Sequence, residues 1–307
     1  MENLLSILRA AGEETRIRIL GLLSRGELAA SDLVDILGQS QPRVSRHLKL
    51  LVDAGLIERH PEGTWAFFKI STKDQNASFV QTIVENIPLD NKILRSDIKN
   101  LSDVRAKRAH EAQGYFERIA RDWDSIRGLY IPEMKVEDKI SGILERYSVK
   151  TFLDIGTGTG RILEVFSNMF ERGLGIDTSK HMLAVARETL NSKKITNSTL
   201  QLGDMYDLEV GDNSQDAIVF HQVLHFSEDP KAVLKEASRV LRPGGVLVIA
   251  DFAPHSEEIF RETHNHRRLG FGEEEINSLG ADASLKPLSC QHLSGEKLTV
   301  SIWEFTN

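Results

Sequence analysis

Between Thr151 and Gly160 the chain reads TFLDIGTGTG, an apolar run closed by glycines at 156, 158 and 160 and followed by the helical segment RILEVFSNMF. A strand that turns at once into a helix through glycines commits its neighbourhood to an α/β layout. Glycine lets the backbone turn tightly and approach a ligand with no side chain between them. The flanking pattern agrees: from about Tyr147, short apolar runs (TFLDIG, GLGID, STLQLGD, DAIVFH, GGVLVIADF) alternate with helical stretches. This alternation predicts a mostly parallel sheet covered by helices. The tail, SLKPLSCQHLSGEKLTVSIWEF, lacks an intervening helix and turns at SGEK, which predicts a closing antiparallel hairpin.

The loop also suggests a ligand. About twenty residues after it, Asp177 ends the next strand in GLGID, where a carboxylate can accept both hydroxyls of a ribose. The glycine spacing is G-x-G-x-G, with Arg161 where a dinucleotide fingerprint has its third glycine, so a pyrophosphate site is only partly met. Asp154, just before the loop, would repel phosphates and suits an ammonium group, directly or through water. Asp204, in QLGDMYDL, follows the third strand, where it can accept from an adenine amino group, with Met205 covering the ring. LRPGG then reads as a helix-to-strand turn in which Gly244 and Gly245 shape the backbone and touch no ligand.

This series resembles the class I methyltransferases, in particular the small-molecule branch of the type 11 kind, over about Thr151 to Asp251. The resemblance implies a Rossmann-like fold and S-adenosylmethionine as cofactor, with S-adenosylhomocysteine as product or alternative ligand. It carries Asp154, Gly156, Gly158, Gly160, Asp177, Thr178, Met182, Asp204, Met205 and His221 into the cofactor site. Methyl transfer from a sulfonium can be driven mostly by positioning, so no catalytic signature is required. His221 and His225 in VFHQVLHF follow the fourth strand, where either could accept a substrate proton; the alternative is an ordinary satisfied loop histidine. Tyr115, Trp123 and Tyr130 precede the fold proper, where related enzymes place a lid, and read as lid packing. His264, His266, Arg267 and Arg268 follow the fifth strand. The His-x-His pair lacks a third metal ligand and reads as polar surface, while the arginines suit an anionic acceptor or an interdomain contact.

The first 72 residues have another pattern. Short helices lead into two apolar runs, LIER and WAFFKI, separated by HPEGT, with a hairpin tip expected at Pro61 to Gly63. ASDLVDILG is a short amphipathic helix, Gln39 and Ser40 form a turn, and QPRVSRHLKLLVDAG is a second helix with Pro42 in its first turn. Val44, Leu48 and Leu51 form the inward stripe, leaving Arg43, Ser45, Arg46, His47 and Lys49 largely outward. Residues 1 to 71 hold nine Lys and Arg against nine Asp and Glu, yet Gln39 to Leu51 holds three basic residues and no acid. Such segregation suits a helix entering the major groove of DNA, although a winged helix can also serve protein interaction.

TRIRILGLLSRGELAASDLVDILGQSQPRVSRHLKLLVDAGLIERHPEGTWAFFKIS resembles the ArsR family of bacterial transcriptional regulators. The resemblance implies a homodimer on an inverted-repeat double-stranded DNA site, with Ser45, Arg46, His47, Lys49 and, in the wing, Arg59 as contacts. Metal-sensing members carry a cysteine pair where this chain has Leu28, Ala29, Ala30, Ser31 and Asp32. The chain has one cysteine, Cys290, so no thiolate cluster can hold a metal or arsenite, and no metal site is expected.

The expected organisation is therefore α/β: a winged helix-turn-helix over 1–72, a helical connector with a possible dimer or lid role over 73–130, and the methyltransferase-like domain over 131–307. A net charge of −7 does not by itself suggest a nucleic-acid partner, no run approaches the roughly 20 apolar residues of a membrane helix, and the N-terminus lacks a signal-peptide pattern, so a cytoplasmic protein is expected. Three functions stay open. They are a methyltransferase carrying a DNA-binding regulator domain, a regulator that senses S-adenosylmethionine or S-adenosylhomocysteine without catalysis, and a metal-responsive repressor, which the missing thiols disfavour.

Overall fold

A computed structural model describes residues 2–62, 65–71, 74–88, 90–119, 133–295 and 297–307. They form two compact units, Met1–Glu111 and Ala112–Asn307.

The first unit opens with α1 (Glu2–Ala11), α2 (Glu14–Leu23), the two-residue strand β1 (Leu28–Ala29), α3 (Ala30–Leu37) and α4 (Gln41–Asp53). Gly38 ends α3 in the left-handed conformation at φ 62°, and Pro42 sits in the first turn of α4, so the two punctuation residues fix the turn between the helices. The wing is β2 (Ile57–Glu62) against β3 (Trp65–Ile70), with sheet order β1-β3-β2. The strand runs further than the expected tip, for Pro61 pairs with Ala66 inside the ladder. Proline is tolerated there because β2 is an edge strand, with one side of its backbone free of ladder bonds. Gly63 and Thr64 lie outside the described residues.

Helices α5 (Asp74–Glu85) and α6 (Lys92–Ile119) cover much of the expected connector. Val80 of α5, Ile87 between the helices, and Leu94 and Leu101 of α6 are buried in one core with Ile19, Leu20, Leu33, Val44, Leu48 and Leu51. Asp97 of α6 takes both Nε and a terminal nitrogen of Arg18 at 2.7 Å, a bidentate clasp onto α2. The side chain of Tyr115, and Trp123 and Tyr130 entirely, lie outside the described residues.

The second unit runs α7 (Glu133–Leu144), β4 (Thr151–Ile155), α8 (Arg161–Val165), β5 (Arg172–Asp177), α9 (Lys180–Ser192), β6 (Ser198–Leu202), β7 (Gln215–His221), α10 (Pro230–Val240), β8 (Leu241–Phe252), α11 (Ile259–His264), α12 (Glu273–Asp282), β9 (Lys286–Ser294) and β10 (Thr299–Thr306). The seven strands lie in the order β6-β5-β4-β7-β8-β10-β9. Pairings β6-β5, β5-β4, β4-β7 and β7-β8 are parallel, and β10 runs antiparallel to both neighbours. LRPGG belongs to the start of β8 and contains an irregularity in the β7 ladder, with Gly244 at φ 76°. Alternate residues of β8 serve opposite faces: Val246, Val248 and Ala250 join α7 and α8 residues in one core, Leu247 and Ile249 join α10 and α12 residues in the other. The strand order reverses between β4 and β7, the switch point at which open α/β sheets bind ligands beyond the carboxyl ends of their strands.

Candidate functional site

At that switch point the glycine loop leaves β4. Gly156, Gly158 and Gly160 all have positive φ, at 71°, 52° and 81°. At Gly156 a Cβ would fall 2.2 Å from Val223 Cγ2, so both the backbone angle and the packing demand glycine. Gly158 N–H donates to Asp177 Oδ2 at 2.9 Å and Ser179 N–H to Asp177 Oδ1 at 2.8 Å, which ties the loop to the end of β5. A carboxylate has about four acceptor positions, so room remains on Asp177 for a further donor. Burial pushes the Asp177 carboxyl up, opposed by its backbone hydrogen bonds from Ser179, Gly158 and Thr178.

Asp154 is buried and accepts from Thr157 Oγ1 at 2.6 Å, so it braces the loop from beneath. Arg161, the cation beside the loop, is drawn away into a bidentate pair with Glu137 at 2.7 and 2.9 Å. The loop is thus flanked by carboxylates and its neighbouring guanidinium is already neutralised, a donor set unsuited to a pyrophosphate and suited to a cationic sulfonium nucleoside. Ser179 caps α9, whose Met182 is buried, and Thr178 is exposed at the strand end. Asp204 is exposed after β6 with Oδ1 accepting from Tyr206 N–H at 3.0 Å, and Met205 packs partly into the core.

His221 ends β7 and is buried. The next residue, Gln222, is a buried non-glycine at φ 53°, its N–H held by Ala250 O at 2.7 Å. Such backbone strain at the carboxyl edge of a central strand concentrates at ligand sites. Sequence alone gives no sign of it, because glutamine announces no positive φ.

His225 stands in a short 3-10 turn, Leu224–Phe226, and is 1% exposed. Its Nδ1 lies 2.7 Å from Asp251 Oδ1, its own N–H donates to Asp251 Oδ2 at 3.1 Å, and Phe252 N–H donates to Asp251 Oδ1 at 2.7 Å. The carboxylate therefore takes the proton-bearing Nδ1 and leaves the lone pair on Nε2. His266 stacks on the His225 ring at 3.9 Å, within a cage that includes Phe226, Phe252 and Phe260. The polar-surface reading of His266 is corrected here: a flat imidazole fits between aromatic rings, and burial pushes its pKa well below the ordinary range. Arg268 is also buried and pairs with Glu275 at 2.6 Å, while Arg267 N–H and Arg268 N–H donate to His225 O at 3.0 Å. Arg268 thus supports the loop around His225 and is already committed to a carboxylate.

On the first unit, Ser45, Arg46 and Lys49 of α4 are exposed while Val44, Leu48 and Leu51 of the same helix are buried, and Arg59 of β2 is exposed. His47 departs from the outward reading. Its side chain is 12% exposed and lies 3.5 Å from both Glu13 and Arg16, so it belongs to the seam between α4 and the start of α2. Where cysteines were absent, Leu28 and Ala29 form β1 and the buried Asp32 accepts from Ala29 N–H at 3.1 Å.

The fold and strand order define the class I methyltransferase architecture with an attached winged helix-turn-helix. Residues 153–249 match the family described as methyltransferase domain, and residues 13–59 match the bacterial regulatory protein, arsR family. The chain therefore joins an ArsR-family helix-turn-helix domain to a methyltransferase domain. It is similar to the arsenical resistance operon repressor of Escherichia coli, 41% identical over 68 residues (22% of this chain and 58% of that protein). It is also similar to the arsenite methyltransferase of Aquipseudomonas alcaligenes, 36% identical over 109 residues, 32% of each chain. A crystal structure of an S-adenosylmethionine-dependent methyltransferase from Clostridium acetobutylicum superposes with a TM-score of 0.51 at 16% identity, over 62% of this chain and 97% of that one. The matches span only 57%, 45% and 32% of the first curated relatives. No described helix is long and apolar enough to cross a membrane.

Proposed function

We propose that the chain is an S-adenosylmethionine-dependent methyltransferase of a small molecule whose ArsR-type domain binds DNA, so that chemistry and gene control share one polypeptide. The observation that carries the reading is Asp177, clasped by Gly158 and Ser179 at the carboxyl edge of β5 beside three glycines in left-handed conformations. In this reading Asp177 accepts the ribose hydroxyls, Gly156, Gly158 and Gly160 let the loop approach the nucleoside, and Asp154 acts on the methionine ammonium through the loop or a water. Asp204 and Met205 flank the adenine, with Thr178 and Met182 completing that wall, and His221 closes the site at β7.

Bound adenosylmethionine supplies an electrophilic methyl group. The chain's part is to align the acceptor and exclude water. His225 is the proton acceptor that the arrangement favours over His221, because Asp251 fixes its tautomer with Nε2 free to receive a proton. Arsenite is a poor acceptor for this chain, which has a single cysteine where arsenic chemistry calls for several thiolates. For the regulator half, the proposal is a homodimer on an inverted repeat, with α4 in the major groove and adenosylmethionine or adenosylhomocysteine as the input. The two ligands differ by a methyl group and a charge, enough to bias a two-state equilibrium by the roughly 1 to 3 kcal/mol usual in allosteric coupling.

The test is incubation of the full chain with methyl-labelled adenosylmethionine and a metabolite extract, against Asp177→Ala. Label transfer by the native chain and not by the variant supports the enzyme. Cofactor binding without any labelled product overturns it in favour of a sensor.

A further inference from the structure

We propose that Glu273, Cys290 and His292 form a divalent metal site of the zinc class on the outer edge of the second unit's sheet. Cys290 and His292 are two residues apart on β9 and so project from the same face of the strand. Glu273 is the first residue of α12 and reaches the same point. One ligand atom from each of the three lies within 4.8 Å of the others. Glu273 Oε2 is 3.4 Å and Cys290 Sγ 3.9 Å from His292 Nε2. A tetrahedral zinc with bonds of about 2.3 Å to sulfur and about 2.0 Å to nitrogen and oxygen holds its ligands about 3.3 to 3.6 Å apart. The two distances to His292 need shifts of only a few tenths of an ångström, and Cys290 and Glu273 close on each other by side-chain rotation.

A second, independent contact orients the imidazole. His292 Nδ1 lies 2.8 Å from Oγ of the buried Ser301. With Nδ1–H donated to that hydroxyl, the Nε2 lone pair points at Cys290 and Glu273, the outer-shell arrangement that metal-ligating histidines ordinarily have. Ser301 faces His292 across one ladder and Asp251 across the other, so the site lies in the same cross-strand row as the carboxylate that holds His225.

On coordination the thiol proton leaves to solvent and the thiolate pair forms the bond to the metal; no redox change occurs. Water fills the fourth position, because Glu273 and His292 are about half exposed. Such a site would clip α12 to the edge strand β9, which otherwise ends the sheet. One thiolate is too few for a sulfur-only cluster and enough for this mixed set.

The experiment is titration of chelator-treated full-length protein with Co2+, read by absorbance, followed by displacement with Zn2+. The expected result is one equivalent of Co2+ with a thiolate charge-transfer band and four-coordinate visible bands, both bleached by Zn2+, and a higher melting temperature with Zn2+. Cys290→Ser should remove the charge-transfer band, and Ser301→Ala, which keeps all three ligands, should weaken binding about tenfold. Unaltered Co2+ binding in Cys290→Ser, or no thiolate band in the native chain, overturns the proposal. Circular dichroism of each variant separates lost binding from lost fold.

Discussion

His225 Nδ1 and Asp251 Oδ1 are 2.7 Å apart, both residues almost wholly buried, with Asp251 also holding the backbone N–H of His225. Ring orientation and tautomer are thus set by one carboxylate. Asp251→Asn keeps the shape but can offer its amide N–H to Nδ1, which moves the proton to Nε2. If His225 receives the acceptor's proton, this variant should lose at least about 100-fold in turnover while its affinity for adenosylmethionine stays within about twofold. Single-turnover methyl transfer and calorimetric cofactor titration read the two effects separately. Equal loss in both would reduce the pair to a structural brace.

Gly156→Ala tests the loop. Its Cβ would meet Val223 at 2.2 Å, and φ 71° adds the left-handed cost of about 1 kcal/mol for a residue with a side chain. The expected outcome is loss of cofactor binding and destabilisation by about 2 kcal/mol or more. Gly156→Ala combined with Val223→Ala should recover part of the stability, since the clash is relieved and the backbone cost is not. Urea midpoints measure this directly.

Much of the second unit was legible because each signal was local: glycines after a strand, a carboxylate ending the next, apolar runs with a period of two. What was hidden depends on neighbours distant in sequence. Nothing in THNHRRLG announces that His266 stacks on His225, since the aromatic cage is built from residues 226, 252 and 260. His47 read as outward from helical periodicity, and its Glu13 and Arg16 partners come from another helix. The extension of β2 through Pro61 depended on its being an edge strand, a property of the sheet and not of the segment. Likewise Leu94 and Leu101 sit in a charged helix that reads as a connector, yet they complete the first unit's core.

The histidine cluster predicts an acid-sensitive second unit. Burial, aided by His225, lowers the His255 pKa from 6.5 to about 4, and burial depresses His266 as well. Between about pH 6.5 and about pH 4 the unfolded chain takes up protons that the native imidazoles refuse. Stability should therefore be flat above pH 6.5 and fall as the pH drops through that window. Denaturation midpoints at pH 7.5, 6 and 5 measure the slope, and His255→Gln should make it shallower. An unchanged slope in that variant would assign the acid sensitivity elsewhere.

The basic face of α4 gives the last prediction, and it separates residues that the sequence grouped together. Arg46, Lys49 and, on the wing, Arg59 are exposed and free to meet phosphate or base edges, whereas His47 is held at the seam with Glu13 and Arg16. Replacing Lys49 with alanine removes one phosphate-neutralising charge, so binding to an inverted-repeat site should weaken and the slope of log affinity against log salt should fall by about 1. Arg46→Ala should do the same or, if it reads a guanine edge, relax preference at one base position at a cost of about 1 to 3 kcal/mol. His47→Ala should behave differently. It removes a contact between α2 and α4, so its thermal midpoint should drop while the salt slope at a temperature where it remains folded stays native. Anisotropy titrations at several salt concentrations, run beside melting curves, distinguish the two kinds of effect. A native salt slope in both Arg46→Ala and Lys49→Ala would remove α4 from the DNA interface and return the basic face to solvent.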